Sequence, residues 1–100
     1  MKKLFISQPM GELSDDEIFK ARLAAIKMAE DRLGEKCEVI DSFIKEDPPK
    51  EATNEGLWYL GKSLELLAEA DIAFFAPGWK VKRGCIIEHM AAEKYGIPII

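Results

Sequence analysis

One hundred residues, 48% hydrophobic and 32% charged, have the balance of one globular domain and not that of a disordered segment. The formal net charge of −4 argues against a nucleic-acid polymer as partner, because phosphate binding needs a basic face. The two cysteines, Cys37 and Cys85, lack metal-ligand spacing, and MKKLFISQPM has too short an apolar run for a signal peptide or a membrane span; the expectation is a soluble cytoplasmic protein without membrane, metal or cofactor.

Residues 2–7, KKLFIS, are short, apolar and followed by the turn-forming QPMGE, which predicts a first strand. Ser14 precedes Glu17 at capping-box spacing, so a helix is predicted from about Asp15 to Leu33, with Gly34 as its stop. CEVIDS (37–42) predicts a second strand. The stretch from Phe43 to Gly56, with Pro48 and Pro49, is longer than a minimal connection and is a candidate cover for a site. Leu57, Leu60, Leu64, Leu67 and Ala68 recur at helical spacing and predict a second helix over about 55–70. DIAFFAP (71–77) has the composition of a buried central strand, ended by Pro77 and Gly78. GWKVKRG is a predicted loop, a third helix follows from Gly84 to Tyr95, and IPII (97–100) is a final short strand.

This β-α-β-α-β-α-β alternation implies parallel strands joined by right-handed crossovers. The expected fold is a small three-layer α/β/α sandwich with a parallel sheet of about four strands in the flavodoxin-like order 2-1-3-4. Ligands of such sheets bind beyond the carboxyl ends of the strands. That edge gathers Ser7, Gln8, Pro9 and Met10 after strand one, Asp41 at the end of strand two, and Trp79, Arg83 and Gly84 after strand three.

On a wheel of the third helix, Ile86, Ile87, Met90, Ala91 and Tyr95 form one apolar face, with His89 and Glu93 on the wet side. Glu88 falls just past the border of that face, at the rim of the core and about one turn into the helix. The helix N-terminus favours its ionised form. A carboxylate in a partly dry crevice suits attack on a cationic sugar centre. The plain alternative is an acidic residue placed early in a helix to complement its dipole.

SLELLAEADIAFFAPGW followed by GCIIEHMAA, together with Ser7–Met10, Ala70-Asp71 and the Gly84-x-x-x-Glu88 spacing, resembles the nucleoside 2-deoxyribosyltransferase superfamily, in particular its short phage and bacterial group. The resemblance covers essentially the whole chain. It implies an α/β/α sandwich that cleaves or transfers at the N-glycosidic bond of a small-molecule nucleoside or nucleotide. Glu88 matches the glutamate that attacks the anomeric carbon. It also implies a homodimer or larger homo-oligomer, which the second apolar flank of helix two (Tyr59, Ser63, Leu66, Ala70) supports. The chain departs from the family at three positions. Ser63 stands where the transferases carry a proton-donating aspartate, Phe5 where they carry a tyrosine, and Met10 where the nucleotide-hydrolysing relatives carry an arginine. Tyr59, Asp41 and Asp71 are the candidates to replace the missing acid. A non-catalytic nucleotide-binding protein using the same crevice is the alternative.

Trp79 either stacks on a base or closes over the core. Lys80, Lys82 and Arg83 form a solvated loop or a phosphate site at the start of helix three. Arg22 lies within the apolar arc of helix one; snorkelling to the surface is the favoured expectation, and the alternatives are that it reaches the crevice or pairs with an acid such as Asp41. His89 is expected to be exposed, and Cys85 to have a thiol pKa lowered by the helix start.

Overall fold

The computed structural model describes residues 1–11 and 13–100; Glu12, inside the first loop, lies outside them. The elements run β1 (Lys3–Ser7), α1 (Asp15–Leu33), β2 (Glu38–Val39), α2 (Glu55–Leu67), β3 (Ile72–Phe75), a short 3-10 turn (Trp79–Val81) and α3 (Arg83–Lys94). The sheet has three strands in the order β2-β1-β3, all parallel. The protein is therefore α/β, built on a small parallel sheet with three helices.

The pleat of β1 decides what faces what. Leu4 and Ile6 join Ile72 and Phe74 of β3 in a core covered by Ala25 and Ala29 of α1. Phe5 joins Ala73 and Phe75 in a second core, covered by Leu67 of α2 and Ala92 of α3. Successive side chains of a strand point to opposite faces, so α1 lies on one side of the sheet and α2 with α3 on the other. Ser7 has the parity of Phe5 and therefore points to the α2/α3 side.

The helix ends are fixed by local chemistry. At α1 the Ser14 hydroxyl accepts from the Glu17 N–H while the Glu17 side chain accepts from the Ser14 N–H. The same helix ends at Gly34, whose φ of 78° is readily adopted only without a Cβ. The Asn54 side chain caps α2 by accepting from the Leu57 N–H at 2.9 Å.

Three sequence expectations change in extent. The second strand keeps only two residues in its ladder, because Asp41 turns back to accept from the Phe43 N–H at 3.1 Å and ends the extended pairing. Helix α2 stops at Leu67, where a turn of i→i−3 bonds runs through Glu69 and Ala70. Residues 97–100 form no strand of their own; Ile99 makes a single parallel bridge to Ala73, with the Pro98 carbonyl accepting from Ala73. The Pro98 nitrogen has no hydrogen to extend that ladder.

A fourth change concerns α3. Its buried line is Cys85, Glu88 and Ala92, whereas Ile86, Ile87, Met90 and Tyr95 are exposed. Small residues face the sheet because Phe5 and Phe75 already fill the space beneath the helix. Glu88 is consequently inside the packed face, not at its rim.

Among the described residues no helix is long and apolar enough to cross a membrane.

Candidate functional site

The carboxyl ends of β1 and β3 and the N-terminus of α3 meet at one edge of the sheet. Ser7 is the last residue of β1 and is 2% exposed; Glu88, on α3, is 7% exposed. The Ser7 hydroxyl donates to Glu88 Oε1 at 2.7 Å. This is the bond that strand parity on one side and the 85-88-92 line of α3 on the other jointly require.

Burial pushes the Glu88 carboxyl above the ordinary carboxylate range, and the Ser7 and Ser63 hydroxyls, which favour the ionised form, oppose the rise. Ser7 makes the closed hydrogen bond, while Ser63 adds a weaker electrostatic approach from α2. Burial also pushes the Cys85 thiol up; a hydrogen bond with Ser7 works against this and the charge of Glu88 adds to it. The expected lowering of the Cys85 pKa is thus reversed: desolvation outweighs the helix start.

Glu88 lines two adjoining lobes of one crevice. The smaller, of about 360 Å³, runs from Glu88 past Cys85, Gly84 and Lys82 to Tyr59 and Leu60 of α2. The larger, of about 540 Å³, runs from Glu88 past Phe5 to Ile18, Arg22, Asp41 and the first acids of α1, Asp15 and Asp16. Gln8, Met10, Ser42, Phe43 and Ser63 border both. Both volumes suit a small organic ligand.

Most of the residues singled out in the sequence come together here. Ser7 anchors the carboxylate; Gln8, Met10 and Ser63 line both lobes; Pro9 and Gly84 line the smaller and Asp41 the larger. Gln8 Nε2 donates to the Ile18 carbonyl at 3.1 Å, and its Oε1 is buried with no protein donor among the described residues. A Cβ on Gly84 would meet nothing within 4 Å, so the helix backbone is open to the crevice at that point.

Other sequence candidates are placed elsewhere. Asp71 precedes β3 and so lies at the amino edge of the sheet, about 16 Å of strand from Ala76. There its Oδ2 accepts from the Lys3 N–H at 2.8 Å, and its own N–H donates to the Lys3 carbonyl. The 3-10 turn after Gly78 carries Trp79 away from the crevice: its indole stacks on the His89 ring at 4.0 Å and 5°, beside Phe75. His89 is thereby half-buried, not exposed, and its Nδ1 lies 3.0 Å from Glu93 Oε1. Arg83 reaches over Gly56 at the start of α2.

Arg22 does not snorkel. Its guanidinium is half-buried at the larger lobe and donates to the Ser42 hydroxyl at 3.0 Å and to the Ile40 carbonyl at 2.8 Å, not to Asp41. Phe43, Ile44 and Leu60 are lining residues that sequence periodicity does not mark. The signal that remained was an apolar pair, Phe43-Ile44, in an otherwise polar loop.

Chemically, the site offers one buried carboxylate with a fixed oxygen, hydroxyl donors around it and an apolar slot beside it. Among the described residues no group of three or more His, Cys, Asp or Glu side chains is arranged to hold a metal ion. Comparison with known protein families, with curated proteins and with solved structures gives no match to this chain.

Proposed function

We propose that the protein cleaves or transfers at the N-glycosidic bond of a (deoxy)nucleoside or nucleotide, with Glu88 as nucleophile. The observation that carries this is the Glu88 carboxylate, buried, oriented by Ser7 at 2.7 Å and common to both lobes of the crevice. A carboxylate so held attacks C1 of the sugar as the bond to the base breaks and the electron pair leaves with the base nitrogen. The glycosyl ester is then released to water or to a second base, as in a retaining glycosidase. Desolvation raises the energy of the ionised carboxylate and makes it the stronger nucleophile once deprotonated.

The resemblance noted in the sequence supports the same chemistry and two further parts of the proposal. One is a four-strand α/β/α sandwich of order 2-1-3-4, with residues 97–100 in the fourth position; the Ile99 bridge to Ala73 favours it. The other is a homodimer, favoured by the uncovered Ile86, Ile87 and Met90 on α3, which are 38%, 41% and 53% exposed.

A second function, binding of a nucleotide without turnover, is favoured by Ser63. It faces Glu88 from α2 where an acid would protonate the leaving base, and a hydroxyl is a poor proton donor at neutral pH.

The test is base release from a panel of nucleosides and 5′-nucleotides by the wild type, Glu88→Gln and Glu88→Ala. Release that disappears in both variants supports the nucleophile. Equal release in all three rejects it, and tight binding of an unchanged ligand by the wild type supports the binder.

A further inference from the structure

Phe43 stands at the junction of the two lobes. It lines both lobes, yet it is 60% exposed, so its ring contributes little to the core. The backbone that carries it is nevertheless fastened on both sides. Arg22 of α1 grips the Ile40 carbonyl and the Ser42 hydroxyl, and Asp41 Oδ1 accepts from the N–H of Phe43 itself. Sheet pairing reaches only the start of this segment, where the Ile40 N–H donates to the Leu4 carbonyl at 2.9 Å. The backbone beneath an uncovered aromatic at the crevice is thus held by one ladder bond and two polar side chains. An aromatic face that lines the crevice on a fastened backbone offers a planar ligand a surface to cover at low ordering cost.

Resting on the N-glycosidic function above, we propose that Phe43 is the stacking wall for the base, in the smaller lobe that it shares with Tyr59. There the sugar is placed toward Glu88. This gives the base-binding role to the loop after β2 and not to Trp79, whose indole face is already occupied by His89. The ligand class is a planar heteroaromatic base on a sugar, and purines gain most because they offer the larger ring surface.

The experiment is calorimetric titration of 2′-deoxyadenosine and of thymidine into the wild type, Phe43→Ala and Phe43→Trp, with thermal melts of each. Phe43→Ala is expected to weaken 2′-deoxyadenosine binding roughly 5- to 100-fold and thymidine binding less, with an unchanged melting temperature. Phe43→Trp is expected to restore binding. Wild-type affinity in Phe43→Ala overturns the proposal while leaving the role of Glu88 standing. So does an equal loss for both ligands together with a lowered melting temperature, since that marks a structural role. A wild type that binds neither nucleoside overturns this proposal, while the function on which it rests is decided separately by base release from the wider panel of nucleosides and 5′-nucleotides.

Discussion

Ser7 and Glu88, 81 residues apart in sequence, are joined by a buried 2.7 Å hydrogen bond from the hydroxyl to the carboxylate. A donor to a charged acceptor favours the ionised acid, by about 2 kcal/mol for bonds of this type. Ser7→Ala should therefore raise the Glu88 pKa further. The measurable consequence is a displacement of the acid limb of kcat/KM for base release toward higher pH. An unmoved limb would mean that a different group sets the ionisation.

Glu88 also links stability to pH. Its folded pKa lies above that of an ordinary, unfolded glutamate because of burial. The folded chain thus holds this proton more tightly than the unfolded chain does. The stabilising contribution is complete below the unfolded pKa and is lost as pH rises through the folded one. Glu88→Gln should melt higher than the wild type at neutral pH, and the difference should close under acid conditions below the ordinary glutamate pKa. Paired melting curves across that range check it.

Gly84→Ala separates folding from function. The added methyl meets nothing within 4 Å, and alanine is preferred to glycine in a helix by up to about 1 kcal/mol. The variant should be as stable as the wild type or more so. Its methyl would project where the backbone now opens to the smaller lobe, so turnover and ligand affinity should fall. Denaturant midpoints beside kinetic constants distinguish the two effects.

Asp71→Asn should leave base release unchanged, because Asp71 fastens β3 to Lys3 at the edge of the sheet away from the crevice. Loss of a charged acceptor should cost roughly 1 kcal/mol of stability, a fall of about 4–8 °C in Tm for a domain of this size. A large drop in kcat in a folded variant would contradict that placement.

The uncovered α3 face yields a hydrodynamic expectation. Sedimentation at micromolar concentration should give a dimer, and Met90→Lys, which places a charge at the centre of the Ile86, Ile87 and Met90 patch, should give a monomer. A wild-type monomer would remove the homodimer from the proposal.

Much of this architecture was legible in the residues. The Ser14–Glu17 box and Gly34 marked both ends of α1, whereas the faces served by Leu4, Phe5 and Ile6, all apolar, come from the packing. The direction of β3 also carried the information that Asp71 precedes the strand and lies at its amino edge. What the sequence did not reveal was long-range. A helical wheel ranks α3 by hydrophobicity, but the space left beneath it by Phe5 and Phe75 selects for small side chains, so Ala92 and Cys85 turn inward and Ile87 and Met90 turn out. Trp79 was open to two roles, and its stacking on His89 depends on a 3-10 turn that no spacing announces. Arg22 looked like a cation in an apolar arc, because its acceptors, Ile40 and Ser42, are backbone and hydroxyl groups from a segment with no pattern of its own.

The centre of the fold, β1 against β3 with helices on both sides, draws its buried residues from outside the stretch 41–54. The crevice rim that follows is fastened by the Ile40 N–H on the Leu4 carbonyl, by Arg22 and by the Asp41 turn. Changes of length or composition between Asp41 and Asn54 therefore leave those buried residues in place. The Ser7 and Glu88 pair, held by strand and helix, does not depend on that stretch.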